Sequence, residues 1–153
     1  MSALENTVPP PLVALLCAVA MWLVSTVGWA IALPGPLREL LVAGLLASAA
    51  YVGVSALWAF RGARTTVDPR QPDRASTLVT EGVFARSRNP MYLGVVGILL
   101  AWAVTLGSVL ALLGPVVFVA YITRFQIVPE EAALRSRFGA VYAQYCGRVR
   151  RWL

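Results

Sequence analysis

Long uncharged runs alternate with short arginine-bearing segments along this chain, and the alternation gives a first prediction of its fold. A helix needs roughly 20 apolar residues to cross the hydrocarbon core of a bilayer. Three uncharged runs are long enough to matter, at residues 6–37, 40–60 and 89–123. The pattern predicts an all-α integral membrane protein.

The breaks in these runs predict about four transmembrane helices. The first two runs each hold one span, near residues 12–33 and 37–60, and the turn-forming Pro34-Gly35-Pro36 separates them. The third run is too long for one helix, and Gly107-Ser108 is its best point of reversal. The last two helices would then form a short hairpin, at residues 90–106 and 109–125.

The whole chain, 1–153, is predicted to be a single membrane domain with four parts. These are two scaffold helices (1–60), a cytoplasmic loop (61–89), the helical hairpin (90–126) and a C-terminal tail (129–153). Within the loop, β-prone residues on either side of Glu81-Gly82 predict a small extended finger or hairpin. Asn89-Pro90 has the residue types of a helix N-cap followed by proline at the first helical position.

The tail is predicted to be a cytoplasmic amphipathic helix with a basic side. Gly139 is expected to weaken or kink this helix, and Gly147 to end it. The apolar residues that recur at helical spacing on one face are Leu134, Phe138, Val141 and Tyr145.

The arginines indicate the orientation in the membrane. The net charge is +6, with six arginines from Arg61 to Arg88 and six from Arg124 to Arg151. Because cytoplasmic loops carry the excess of positive residues, we expect the loop, the tail and both termini in the cytoplasm. This placement argues against a nucleic-acid partner and favours contact with anionic membrane lipids. The first apolar run exceeds the length of a cleaved signal, and the composition is typical of a GC-rich bacterium, so we expect a bacterial inner-membrane protein.

The chain contains no histidine, which removes the commonest general base and metal ligand. Since the other ligand types are few and scattered, we expect no metal site. The remaining polar residues have local explanations: Glu130-Glu131 as first-turn acids favoured by the helix dipole, Asn89 as a cap, and Arg86 and Arg88 as solvated or lipid-facing charges. A hairpin that brings both clusters to one membrane face would nevertheless build a site that neither forms alone.

Two motifs resemble those of a known enzyme family. LVTEGVFARSRNPMYLG, at residues 78–94, and EEAALRSRFGAVYAQYCGRVRRWL, at residues 130–153, stand one hairpin apart. Their order and spacing resemble the isoprenylcysteine carboxyl methyltransferases and their phospholipid methyltransferase relatives. The resemblance covers about half of the chain. It implies a multi-pass enzyme that uses S-adenosylmethionine in a cytoplasmic pocket closed by the tail and open sideways to lipid.

The resemblance also assigns site residues. Glu130 would contact the cofactor from beyond the hairpin, and substrate contacts would fall at Gln126 and nearby Arg124. The other cofactor contacts would be Ser76, Thr77, Leu78, Val79, Phe84, Asn89, Pro90, Met91 and Tyr92. No catalytic base is assigned, because a sulfonium donor already carries the charge of its leaving group and transfer then requires mainly alignment and exclusion of water.

Three positions depart from the family pattern, and they leave the substrate open. Asn89 replaces histidine, Phe84 replaces tyrosine, and Gln126 replaces an arginine tied to substrate in the prenylcysteine enzymes. The last change argues against a prenylcysteine carboxylate, so the acceptor is described only as lipophilic or amphiphilic, with an oxygen, nitrogen or sulfur nucleophile.

Two other functions are open at this stage. One is an NADPH-dependent membrane reductase of the sterol-reductase type. The other is a non-enzymatic membrane protein that binds lipid or a partner, for which the small-residue faces of the first two helices would suit oligomerisation.

Overall fold

The computed structural model describes residues 8–27, 29–62 and 77–153, and these parts of the chain are predominantly helical. They contain no β-strand beyond an isolated bridge, so the predicted all-α class is confirmed. The α-helices are α1 (Pro10–Ser25), α2 (Gly35–Gly62), α3 (Pro90–Leu106), α4 (Leu113–Ile122) and α5 (Val128–Arg148).

The hairpin of α3 and α4 forms where the third uncharged run predicted it. α3 has the predicted bounds, and it ends at Gly107, whose φ of 60° lies in the left-handed region that favours glycine. A 3-10 turn, Leu110–Leu112, then leads into α4. Proline at its start and glycine at its end therefore set the limits of α3.

α1 is shorter than predicted, because the described residues 26–27 and 29–33 are not helical. The extended part of this segment pairs with the tip of the hairpin. The Ile31 N–H donates to the Gly107 carbonyl at 2.6 Å, and the Val109 N–H donates to the Trp29 carbonyl at 3.1 Å. The predicted span at residues 12–33 is therefore wrong at its C-terminal end. The backbone groups of Trp29 and Ile31 already have hydrogen-bond partners in the hairpin, so they do not need helical ones.

α4 and α5 are continuous through a π-helical turn, Thr123–Ile127. Pro129 has no N–H to donate to the Phe125 carbonyl four residues earlier, so regular α-helical pairing cannot continue here. The tail is therefore not a separate helix beginning after Pro129. Its break lies at Gly139 (φ 50°, ψ −123°), where a kink was predicted, and α5 ends at Arg148, one residue beyond the expected stop.

Glycine allows α2 and α3 to pack closely. A Cβ added to Gly94 would lie 3.2 Å from the Ala49 carbonyl oxygen, and one added to Gly97 would lie 3.1 Å from the Ala49 Cβ. Any larger side chain at these positions would push the helices apart. On the other side of α3, a buried cluster that includes Met21 and Phe118 joins it to α1 and α4.

Among the described residues, two helical runs are long and apolar enough to cross a membrane. They are α2, with 28 residues, and the continuous run Leu110–Arg148, with 39. α1 and α3 are apolar but shorter, at 16 and 17 residues. Tyr51 and Trp58 are exposed on α2, as is typical of a surface covered by lipid. These features indicate membrane association, and the count of four spans stays a prediction.

Candidate functional site

The polar segments before α3 and after α4 lie together at one end of the hairpin. Because the two helices run in opposite directions, the start of α3 meets the start of α5, and side chains bond across the junction. The apolar part of the second long run ends near Arg124. We therefore place Glu130 and Glu131, in the first turn of α5, outside the membrane-spanning part.

Glu130 is the centre of the first group at this junction. Tyr92 Oη donates to Glu130 Oε1 at 2.8 Å, and Gln126 Nε2 donates to the same oxygen at 2.6 Å. Tyr92 comes from the first turn of α3, and Gln126 comes from the π-helical turn. Both donors are neutral, so they orient the carboxylate without cancelling its charge.

The environment of Glu130 makes its charge sensitive to pH near neutrality. Burial raises the pKa of this carboxyl from 4.5 to about 7, against the opposing hydrogen bonds from Gln126 and Tyr92. The nearby negative charge of Glu131 raises the pKa further. A carboxyl poised in this way is more frequent at functional sites than elsewhere.

Glu131 belongs to a second group with a different electrostatic character. Arg88 Nη2 donates to its Oε1 at 2.8 Å, and Arg151 donates through Nε to Oε1 at 2.9 Å and through Nη2 to Oε2 at 2.8 Å. Burial alone raises the pKa of Glu131, but the hydrogen bonds from Arg151 and Arg88 outweigh burial and hold the pKa below its ordinary value. Glu131 therefore stays ionised and paired.

Residues 149–152, which we call the C-terminal strap, cross the start of α3. The Arg88 backbone N–H donates to the Arg150 carbonyl at 3.0 Å, and Arg88 Nη1 donates to the Val149 carbonyl at 3.1 Å. Asn89 Nδ2 donates to the Arg151 carbonyl at 2.9 Å. Although Asn89 stands in the N-cap position, its side chain makes no cap hydrogen bond. The predicted capping role is wrong, and the side chain holds the strap.

The loop residues around Phe84 pack against α5. Gly82–Ala85 form a 3-10 turn, so the predicted extended finger is wrong over these residues. The Phe84 ring packs edge-on against Phe60 of α2, and its carbonyl accepts from Tyr145 Oη at 2.7 Å. Leu78 packs on the buried cluster of Tyr142, Tyr145 and Val149. This turn therefore links α2 to α5.

The remaining predicted site residues differ in how far they are exposed to solvent. Ser76 lies outside the described residues. Pro90 is buried at the start of α3 and Val79 is half-buried, whereas Thr77 and Met91 are exposed. Arg124 is also exposed, with its guanidinium 5.6 Å from the centre of the Phe125 ring. The structure thus brings Tyr92, Gln126 and Glu130 into one group and leaves Arg124 at its edge.

Arg88 and Arg151 are the polar residues whose position sequence reasoning missed. Arg88 was expected to face solvent or lipid, yet it is largely buried and bonded to Glu131 and to the strap. The available signal was charge: Glu131 follows a motif rich in arginine and precedes an arginine-rich C-terminus. Pairing across 43 and 20 residues is not visible in local periodicity.

A family model described as phospholipid methyltransferase matches residues 37–141, more than half of the chain. The chain belongs to this family. The matched region begins in α2 and extends through the hairpin into α5, so it includes the whole group around Glu130 and, of the group around Glu131, all but Arg151.

One relative of this phospholipid methyltransferase family member is an uncharacterized protein of Haemophilus influenzae. It is 51% identical over 63 residues, which is 41% of this chain and 100% of the relative. No solved structure matches the chain. The matched family is a family of methyltransferases, and the match itself names neither the cofactor nor the methyl acceptor of this chain.

Proposed function

We propose that this protein transfers a methyl group from S-adenosylmethionine to a lipid or another amphiphilic acceptor at the cytoplasmic face of the membrane. The observation that carries the proposal is Glu130, a half-buried carboxylate that accepts from two neutral donors at the junction of the two family motifs. Membership of the phospholipid methyltransferase family supports both the reaction and the lipid acceptor.

The residues present fit S-adenosylmethionine. This cofactor carries an ammonium group and ribose hydroxyls, and a carboxylate that forms no ion pair with the described part of the chain is suited to bind either. Glu130 would hold one of these groups, and Tyr92 and Gln126 would keep the carboxylate in position. Phe84, which packs on Phe60, and Leu78, which packs on the cluster of Tyr142, Tyr145 and Val149, would supply apolar walls that exclude water.

Little proton chemistry is required of the protein. When bound, S-adenosylmethionine supplies an electrophilic methyl group on a positively charged sulfur. The chain's residues bind and orient the reactants so that the nucleophile approaches opposite the departing sulfur, in a site shielded from water. No side chain is assigned as a base, because an amine or thiolate acceptor can attack without one.

Arg124 is the better candidate of the two predicted substrate residues. It is exposed where the apolar part of its helix ends, at the level expected for lipid headgroups, and its guanidinium can bind a phosphate. Gln126 is 2% exposed and donates to Glu130, so we assign it to orienting the carboxylate. The arginine-rich loop and C-terminus support placing this end of the hairpin in the cytoplasm.

The first test is binding of S-adenosylhomocysteine to the detergent-purified protein by calorimetry, with NADPH as the competing cofactor. We expect binding of S-adenosylhomocysteine that Glu130→Ala weakens at least about tenfold. Glu39→Ala is the matched control, because it removes a carboxylate from the start of α2. Binding of NADPH alone would point to a reductase, and unchanged affinity in Glu130→Ala would refute the site.

Methyl transfer is then measured from labelled S-adenosylmethionine to a lipid extract. A labelled lipid product that Arg124→Gln reduces while cofactor affinity is retained would support Arg124 as a headgroup contact. A folded protein that binds neither cofactor would refute the proposal and leave a lipid-binding protein as the alternative.

A further inference from the structure

We propose that the C-terminal strap fixes the start of α3 against the start of α5, and that Glu131 is the positioning residue that fastens it. The proposal rests on the proposed function, because these two helix starts carry Tyr92 and Glu130. It assigns the adjacent glutamates different roles: Glu130 binds a ligand, whereas Glu131 holds the structure that positions Glu130.

The hydrogen bonds of Glu131 leave little room for a ligand. Three arginine N–H groups donate to its two oxygens, and the residue is 9% exposed. Two guanidinium groups neutralise the charge that a cationic ligand would need. The contacts of Glu131 are therefore structural: its carboxylate binds Arg88 and Arg151 of the same chain and not a ligand.

The strap is fastened along its length to more than one element. Arg88 and Asn89, directly before α3, donate to three successive carbonyls of the strap. Arg151 bonds to Glu131 on α5, and Trp152 Nε1 donates to Thr123 Oγ1 in the π-helical turn at 3.2 Å. The strap therefore links the start of α3, the π-helical turn and the start of α5.

These links bear directly on the group around Glu130. Asn89 lies three residues before Tyr92, and Glu131 is next to Glu130. When the strap is released, the two helix starts can move relative to each other. The hydrogen bond from Tyr92 to Glu130 then loses its fixed geometry. We expect release to weaken cofactor binding more than it slows the bound reaction.

Release of the strap can be measured without any ligand. Carboxypeptidase removes residues from the C-terminus only while the strap is unfastened, so the rate of loss of Trp152, followed by intact mass, reports the open fraction. In Glu131→Gln we expect this rate to rise about tenfold or more, because one partner of a buried ion pair has been removed. Arg151→Gln should act in the same direction. Arg150→Gln is the matched control, since only the carbonyl of Arg150 is used.

Arg151→Gln keeps the pair between Arg88 and Glu131, and it provides the test if Glu131→Gln does not fold. Digestion of both variants at the wild-type rate, or equally fast digestion of Arg150→Gln, would overturn the role of Glu131 in fastening the strap.

Calorimetry with S-adenosylhomocysteine then separates positioning from binding. We expect Glu131→Gln and Arg151→Gln to bind about tenfold more weakly while affinity still depends on pH, and Glu130→Gln to lose the pH dependence while its digestion rate stays normal. Faster digestion with unchanged affinity would overturn the positioning role. Absence of binding in the wild type would overturn the proposed function, while digestion would still decide whether Glu131 fastens the strap.

Discussion

Titration of Glu130 should appear in the affinity for S-adenosylhomocysteine. Its pKa is about 7, against an ordinary 4.5, because burial disfavours the charged form. Only the ionised carboxylate attracts an ammonium group, so the apparent dissociation constant is the intrinsic value divided by the ionised fraction. Affinity should therefore be retained above pH 7 and lost as the pH falls through that value.

The raised pKa also fixes the size of this effect. Between about pH 8 and about pH 5.5 the ionised fraction falls from about 0.9 to about 0.03, so the dissociation constant should increase about 30-fold. A carboxyl with a pKa of 4.5 would remain about 90% ionised at the lower pH, and affinity would hardly change. The two cases are readily separated by calorimetry.

Glu130→Gln supplies the control for this experiment. The amide keeps the shape of the side chain and one acceptor oxygen, has an N–H donor in place of the other oxygen, and carries no charge at any pH, so binding should be weaker than wild type above pH 7 and independent of pH. If wild type and Glu130→Gln show the same pH dependence, another group titrates, and Glu130 is not the residue that binds the ammonium group. A wild-type midpoint near 4.5 would refute the argument from burial.

Two further predictions concern glycines, and both are checked by thermal unfolding in detergent. Gly94→Ala should destabilise the protein by about 1–3 kcal/mol because the new methyl group meets the Ala49 carbonyl, whereas Gly44→Ala, with nothing within 4 Å, should not; equal effects would contradict the close-packing argument. Gly139→Ala should cost about 1–3 kcal/mol through its positive φ, although the added methyl group meets no neighbour. Gly147→Ala, in open space without a positive φ, should be neutral or stabilising, and a loss as large as that of Gly139→Ala would contradict the role of φ.

The parts of the fold that the sequence predicted correctly are those fixed by local signals. α3 has the predicted bounds because Pro90 starts it, an uncharged run continues it and Gly107 ends it. The kink at Gly139 was likewise predictable, since glycine alone adopts that backbone conformation without strain. The π-helical turn was not predicted, even though Pro129 supplies a local reason for it.

The buried face of α5 shows how one kink can make a prediction from helical spacing fail. Val141 was assigned to the apolar face, but it is 60% exposed, and Tyr142 is 2% exposed instead. The kink at Gly139 interrupts the helical rotation, so spacing counted from Leu134 no longer applies after it. Tyr145, one turn further on, is buried as predicted. A repeat of apolar residues at helical spacing identifies the buried face of a helix only while its backbone stays regular.

The candidate site was predictable in part for a similar reason. Tyr92 and Glu130 stand in motifs whose resemblance to a family assigns both to the cofactor, and the hairpin brings them together. The fold-back of the strap depends on backbone carbonyls, which every residue carries, and sequence gives no signal for them. Asn89 is the clearest example: the sequence predicts a helix cap, whereas its side chain donates to the Arg151 carbonyl of the strap.

The two glutamates are coupled, and this coupling connects the strap to the chemistry of the site. Successive residues on an α-helix point about 100° apart, so Glu130 meets neutral donors while Glu131 meets two arginines. The charge of Glu131 raises the pKa of Glu130, and its arginine partners offset that repulsion. Loss of Arg151 should therefore expose Glu130 to more of the neighbouring charge and move the midpoint of its titration above 7. The strap thus acts on Glu130 both by position and by charge, and a shifted midpoint with weaker binding would be the joint signature.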